Sequence, residues 1–161
     1  MRITILANRD IASNVALNLL LPKLADHKLS IFLSSKVGSS SNKPIELARL
    51  KFFEQDLFND LVSPLLDKSN QRQSNFLSFS QMSELSTQAV AELNNINTPE
   101  GLQVLRENQP DLIISIRFGV ILKDEAISIP PLGVLNLHSG LLPNYRGVMA
   151  TFWAILNNEK T

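Results

Sequence analysis

Short apolar runs alternate along this chain with segments whose apolar residues recur every three or four positions. Residues 2–7 (RITILA) and 29–33 (LSIFL) have strand length, and residues 11–24 between them (IASNVALNLLLPKL) have helical spacing. This pattern predicts a β-α-β unit at the start of the chain.

The middle of the chain has a longer helical pattern followed by a polar stretch. Apolar residues at intervals of three and four over 43–66 predict a mostly helical segment, and Pro64 predicts a break near its end. Residues 67–81 are rich in Ser, Asn and Gln, which predicts a surface loop with Phe76 and Phe79 as its anchors.

Strands and helices alternate again in the last third. Thr98, Pro99 and Glu100 supply a cap, an allowed proline and a first-turn acid, so they predict a helix over 99–108. The remaining predicted elements are a strand over 111–116, a short helix near 123–127, a strand over 133–138 and a helix near 151–158. This alternation predicts an α/β fold of Rossmann-like type, in which helices cover both faces of a mostly parallel sheet. A length of 161 residues fits one domain.

Composition narrows the function classes. Fifteen basic and fifteen acidic residues cancel, which removes the charge expected of a domain that grips nucleic acid by itself. Two histidines without any cysteine predict no metal site, and nothing calls for an oxidising compartment. The first apolar run is too short for a signal peptide or a membrane span, so we expect a soluble cytoplasmic protein.

The polar chemistry concentrates in residues 133–147, GVLNLHSGLLPNYRG. Side chains alternate along a strand, so Asn136 and His138 share one face near the end of the predicted strand, where open α/β sheets bind ligands. A lone histidine at a strand end is more often structural than catalytic. Paired with Asn136 it favours acyl transfer, because imidazole moves protons near neutral pH and a carboxamide stabilises an oxyanion.

The continuation LLPNYRG (141–147) resembles the signature of the folate-dependent formyltransferases, the family that includes methionyl-tRNA and phosphoribosylglycinamide formyltransferases. The likeness extends upstream through PDLI (110–113), FGVIL (118–122) and GVLNLH (133–138), and it covers about residues 105–161.

This resemblance implies a formyltransferase domain with 10-formyltetrahydrofolate as the formyl donor. It implies that Asn136 hydrogen-bonds the formyl oxygen and that His138 assists proton transfer as an amine attacks. It also implies two sets of apolar and backbone groups that hold the pterin ring: Phe118, Gly119, Val120, Ile121 and Leu122 in one, and Leu141 and Leu142 beside it. Tyr145, Arg146 and Gly147 match the far side of the loop and would shape the site.

Two departures from the family pattern change these expectations. The family orients its histidine with an aspartate on a later loop, and Glu159 is the one acid after His138. Nothing around Glu159 resembles that loop. We therefore expect residues 1–161 to be the front part of a catalytic domain, impaired in catalysis when isolated. The turn after the first strand also lacks the glycines that bind a ribosyl phosphate, which argues against phosphoribosylglycinamide.

Several alternatives stay open at this point. The acceptor is a primary amine of methionyl-tRNA or amino-sugar type, or the acceptor is water and the chain is a hydrolase, or the chain binds folate without turnover. Arg117 either reaches the folate tail or pairs with an acid, and Arg9 either contacts a phosphate or is a solvated surface residue. We expect no membrane partner, and a homodimer is open because a shortened sheet leaves an unpaired edge.

Overall fold

The computed structural model describes residues 1–35, 45–68, 76–146 and 150–159. A five-stranded parallel sheet forms its centre. Its strands are β1 (Arg2–Asn8), β2 (Lys28–Ser34), β3 (Ala91–Glu92), β4 (Leu112–Ile116) and β5 (Val134–Leu137). They lie in the order β3-β2-β1-β4-β5, and each neighbouring pair is parallel.

Helices connect the strands. They are α1 (Ile11–Leu20) with a 3-10 turn (Leu21–Leu24), α2 (Ile45–Lys51), α3 (Ser63–Lys68), α4 (Pro99–Asn108), α5 (Asp124–Ile127) and α6 (Ala150–Leu156). Two π-helical stretches (Phe52–Asp56 and Phe58–Val62) join α2 to α3, and a 3-10 turn (Gln81–Leu85) precedes β3. No helix within the described ranges combines the length and apolar character needed to cross a membrane.

Each face of the sheet has its own apolar core. On β1, Ile3 and Ile5 belong to a cluster that also contains Leu17 of α1. Leu6 points to the other face, where its cluster includes Leu105 of α4. Because alternate residues of a strand face opposite sides, one buried strand supplies both cores. The predicted α/β fold, with helices on both faces of a parallel sheet, is confirmed.

The predicted break at Pro64 is absent. The chain stays helical from Ile45 through the proline to Lys68. Ser63, just before the proline, donates its N–H to the carbonyl of Phe58, five residues back. An α-helical proline clashes with the carbonyl four residues earlier, and the wider π turn gives the ring room. Residues 43 and 44 of the predicted helix lie outside the described residues.

The predicted loop over 67–81 is partly outside the described residues, at 69–75. Of its two anchors, Phe79 is buried against Phe58 in the first core cluster, with ring centroids 5.9 Å apart. Phe76 is exposed. The strand β3 follows this region and was not predicted, because two residues carry too little pattern to indicate a strand.

A close backbone approach fixes the start of α4 and gives a stability prediction. A Cβ on Gly101 would lie 2.1 Å from the Asn95 carbonyl oxygen, which is backbone. We therefore expect Gly101→Ala to lower the free energy of unfolding by about 1–3 kcal/mol, measured by urea denaturation. The control is Gln103→Ala, at an exposed position of the same helix, with an expected change within about 0.5 kcal/mol. Equal stability of the two variants would contradict this account.

Candidate active site

Asn136 and His138 lie at the carboxyl end of β5, as predicted. In the sheet register Asn136 is opposite Ser115 of β4, and Leu137 is opposite Ile116. Ile116 is in turn opposite Ala7 of β1. The carboxyl ends of β1, β4 and β5 therefore align at one edge, and this is the edge where parallel sheets bind ligands.

The imidazole of His138 is oriented by its own loop. Its Nε2–H donates to the carbonyl oxygen of Tyr145, seven residues later. In a neutral ring this places the proton on Nε2 and leaves Nδ1 as the acceptor. Within the ranges that the structure describes, no carboxylate pairs with His138. A backbone carbonyl holds the ring here.

Internal hydrogen bonds close the loop that follows His138. The N–H of Tyr145 donates to the Leu141 carbonyl at 3.0 Å, and Nε of Arg146 donates to the Pro143 carbonyl at 2.8 Å. Asn157, just beyond α6, donates to the Tyr145 hydroxyl at 3.0 Å. The Leu142–Pro143 peptide bond is cis. Gly147 lies outside the described residues.

A cavity of about 190 Å³ opens beside the imidazole. Its lining residues are His138, Ser139, Gly140, Leu141, Tyr145, Thr151 and Ala154. Ligand pockets usually measure about 300–1,000 Å³, so this cavity fits reacting groups rather than a whole folate. A larger depression of about 560 Å³ is lined by residues of α4 and α5 and by Ser128 and Ile129, and none of the predicted site residues lines it.

Asn136 is exposed, and its side chain makes no hydrogen bond to any described residue. Its carboxamide is therefore available to a ligand. The neighbouring Leu135 and Leu137, on the opposite face of β5, are also mostly exposed. Val134 at the start of the strand packs against the second core cluster, whereas Leu135, Asn136 and Leu137 are exposed among the described residues.

The predicted folate residues divide between core and surface. Phe118, Val120 and Leu122 pack against the second core cluster, whereas the Ile121 side chain is 88% exposed. Leu141 and Leu142 are exposed by 66% and 62%. In residues 118–122, three of the apolar side chains therefore serve packing, and the Ile121 side chain faces solvent.

Arg117 pairs with two acids. Its Nε lies 3.1 Å from a carboxylate oxygen of Asp10, and its Nη2 lies 2.8 Å from one of Glu54. Partial burial lowers the pKa of Arg117, but the charges and hydrogen bonds of both carboxylates outweigh burial, so the pKa lies above its ordinary value. Of the two alternatives left open, the structure shows the acid pair.

Three polar residues of this edge were not found by sequence reasoning. Asp10 is buried and caps α1 by accepting from Ser13 N–H at 2.7 Å. An aspartate directly before a helical pattern is a capping signal that could have indicated this role. The other two, Ser34 and Asn97, bond to the backbone of residues 119–123, and no local pattern marks them.

Arg9 is only partly exposed, and no acid of the described residues pairs with it. It is half-buried, and its guanidinium lies 5.9 Å from the ring centroid of Phe79, a cation–π distance. The structure thus corrects the surface interpretation. Among the described residues, no group of three or more His, Cys, Asp or Glu side chains is placed to hold a metal ion.

Comparison with known proteins decides the family. A family model described as formyl transferase matches residues 59–161, more than half of the chain. The chain belongs to the formyl transferase family. The matched range contains α4, β4, β5 and α6, and so it includes every predicted site residue of this formyl transferase chain.

Curated relatives match part of the chain. It is 44% identical over 71 residues to methionyl-tRNA formyltransferase of Acetivibrio thermocellus, and 41% identical over 88 residues to that of Caldanaerobacter subterraneus subsp. tengcongensis. These matches cover 44% and 52% of this formyl transferase chain. They cover 23% and 28% of the relatives' own lengths, so the chain matches about a quarter of each relative.

A solved structure confirms the fold. The phosphoribosylglycinamide formyltransferase from Brucella melitensis superposes on 99% of this formyl transferase chain, with a TM-score of 0.50 and 15% sequence identity. The superposition covers 67% of that structure. At this identity the likeness concerns the fold alone.

The packing around Gly140 yields a prediction for His138. A Cβ there would lie 2.4 Å from the Ala150 Cβ and 2.8 Å from both Cβ and the carbonyl oxygen of Tyr145. We expect Gly140→Ala to displace that carbonyl and mix the two imidazole tautomers, as measured by ¹⁵N NMR of His138. Ser139→Ala, which adds no atom, is the control. Unchanged ¹⁵N shifts in Gly140→Ala would show that the carbonyl does not set the tautomer.

Proposed function

We propose that this protein transfers a formyl group from 10-formyltetrahydrofolate to a primary amine. One observation carries the proposal: Asn136 and His138 stand together at the carboxyl end of β5, within the range that matches the formyl transferase family. In this proposal Asn136 and His138 touch the reacting atoms, and the residues after β4 and β5 hold the folate.

The exposed groups at this edge suit a pterin ring. A flat heteroaromatic ring needs apolar contacts on its faces and hydrogen-bonding groups at its rim. Ile121, Leu141 and Leu142 offer apolar surface, and the backbone of residues 118–122 offers N–H and C=O groups. Phe118, Gly119, Val120 and Leu122 contribute through that backbone, since the three side chains among them face the core.

The chemistry follows from the two polar residues. The donor supplies an activated formyl carbon bonded to a folate nitrogen. The Asn136 carboxamide donates to the formyl oxygen as negative charge develops there. The unprotonated nitrogen of His138 takes a proton from the attacking amine and delivers it to the departing folate nitrogen. A bond from the amine nitrogen to the formyl carbon forms, and the bond from that carbon to the folate nitrogen breaks.

The acceptor class rests on the relatives and on the first turn. The relatives described above are named methionyl-tRNA formyltransferases, which supports an aminoacyl-tRNA acceptor. The turn of residues 8–10 contains no glycine, which supports an aminoacyl-tRNA or an amino sugar over phosphoribosylglycinamide. Cytoplasmic location and a homodimer are parts of the same proposal.

The proposal also concerns the domain. Residues 1–161 are the front part of a catalytic domain, which the small matched share of each relative supports. An aspartate elsewhere in the whole protein would then complete the orientation of His138.

A second candidate is a folate-binding module without turnover. The observation that favours it is the His138 contact, because the imidazole donates to a backbone carbonyl rather than to a carboxylate. A carboxylate stabilises the imidazolium that forms during proton transfer, whereas a neutral carbonyl does so weakly.

The experiment is a formyl-transfer assay with the whole protein, 10-formyltetrahydrofolate and an amine acceptor. It follows the release of tetrahydrofolate. We expect Asn136→Ala and His138→Ala each to lower kcat by about 10²-fold or more, because the loss of an oxyanion donor or of a general base has effects of this size. The affinity for 10-formyltetrahydrofolate should change much less. The control is His27→Ala, since His27 is the other histidine of the chain and lies in the turn before β2.

Each outcome has a distinct meaning. Formyl transfer to an amine supports the proposal, and formate release without any amine assigns a hydrolase instead. Folate binding without turnover assigns the second candidate. A protein that binds no folate contradicts all three readings.

A further inference from the structure

Residues 117–123 lie between β4 and α5 and form neither helix nor strand. Polar contacts nevertheless hold the backbone of this stretch at several points. Arg117 has a left-handed conformation (φ 53°) and is anchored to Asp10 and Glu54. Beyond it, side chains from two distant parts of the chain bond to this backbone. Irregular backbone has many accessible conformations, so each such bond selects one of them.

The first backbone contact comes from the end of β2. The buried hydroxyl of Ser34 accepts the N–H of Gly119 at 2.8 Å. The same hydroxyl lies within 3.2 Å of the Asn8 side-chain oxygen and 3.3 Å of the Ala7 carbonyl, both acceptors for its proton. Gly119 is thereby fixed relative to the carboxyl ends of β1 and β2.

The second contact is made by the carboxamide of Asn97, which bonds to two backbone groups and is called the clamp below. Nδ2 of Asn97 donates to the Ile121 carbonyl at 2.8 Å, and Oδ1 accepts the N–H of Lys123 at 2.9 Å. A planar amide that bonds at both ends fixes the spacing of these two backbone groups. Ile121 is also the residue of this stretch whose apolar side chain faces solvent almost completely.

Asn97 is itself held firmly. Ile96 before it is fully buried in the second core cluster. Thr98 after it caps α4, since its hydroxyl accepts the Gly101 N–H at 3.3 Å. The clamp is therefore attached to the core and to a helix start.

We propose that Asn97, supported by Ser34, is a positioning residue for folate: it fixes the backbone on which the pterin ring rests and directs Ile121 outward. This inference rests on the proposed function. Without these two hydrogen bonds, a ligand would have to order residues 120–123 on binding. The entropic cost of that ordering would reduce the free energy of binding and raise Kd.

A purely structural role for Asn97 makes a different prediction. If Asn97 only stabilised the start of α4, its loss would lower Tm and leave folate binding by the folded protein unchanged. A positioning role raises the donor KM and the Kd for folate, with kcat at saturating donor little changed. The two roles are therefore separated by measuring affinity and stability in the same variants.

The test uses 5-formyltetrahydrofolate, a stable isomer of the donor, in calorimetric titrations of the whole protein. We expect Asn97→Ala to raise Kd about tenfold, the equivalent of one lost pair of ordinary hydrogen bonds. Hydrogen exchange at the Lys123 amide should accelerate as well. Asn97→Asp keeps the acceptor for Lys123 and loses the donor to Ile121, so we expect a smaller rise; it also serves if Asn97→Ala folds poorly.

Asn108→Ala is the matched control. Asn108 lies at the other end of α4, and its carboxamide likewise makes two hydrogen bonds, to Val104 and Gln88. This variant should bind folate as the unmodified protein does. If the unmodified protein binds 5-formyltetrahydrofolate and both Asn97 variants bind it with the same Kd as the unmodified protein, the inference is overturned and the proposed function stands. If the unmodified protein binds no folate, the proposed function fails and the inference fails with it.

Discussion

The hydrogen bonds of the buried Asp10 carboxylate hold together the sheet edge at which Asn136 and His138 lie. One oxygen accepts the Ser13 N–H and begins α1, and the other accepts from Asn8 at 2.8 Å and from Arg117. An isolated buried carboxylate is costly, and three donors from three parts of the chain offset that cost here. The end of β1, the start of α1 and the residues after β4 are thereby held in one arrangement. The parallel register then places β5 beside them.

The elements that the sequence predicted well are those with strong local patterns. The strands β1, β2 and β4 are short apolar runs, and α4 has a cap, so neighbouring residues contain the signal. Pro64 was misleading because a π turn depends on the whole helical segment rather than on the proline. Ser34 and Asn97 act on residues 85 and 24–26 positions away, and no periodicity reports a hydrogen bond between distant segments.

In the candidate site, too, sequence predicted the features that have a local pattern and missed those that depend on tertiary packing. Strand alternation located Asn136 and His138, because both belong to one four-residue strand and the residue after it. It could not separate the roles of Phe118, Val120 and Leu122 from that of Ile121. An apolar side chain that packs on a core and one that faces a ligand look alike in sequence, and the structure separates them by burial.

The pairing of β5 determines how accurately Asn136 is placed. Within the described residues this strand pairs with β4 alone, through four residue pairs that end at Ile116 and Leu137. Side chains alternate with a period of two, so a slip of one residue would exchange Asn136 for a leucine at the same position. A strand held on both sides would resist such a slip through two ladders. Within the described residues, a single ladder of four residue pairs therefore decides whether the Asn136 carboxamide or a leucine side chain occupies this place at the sheet edge.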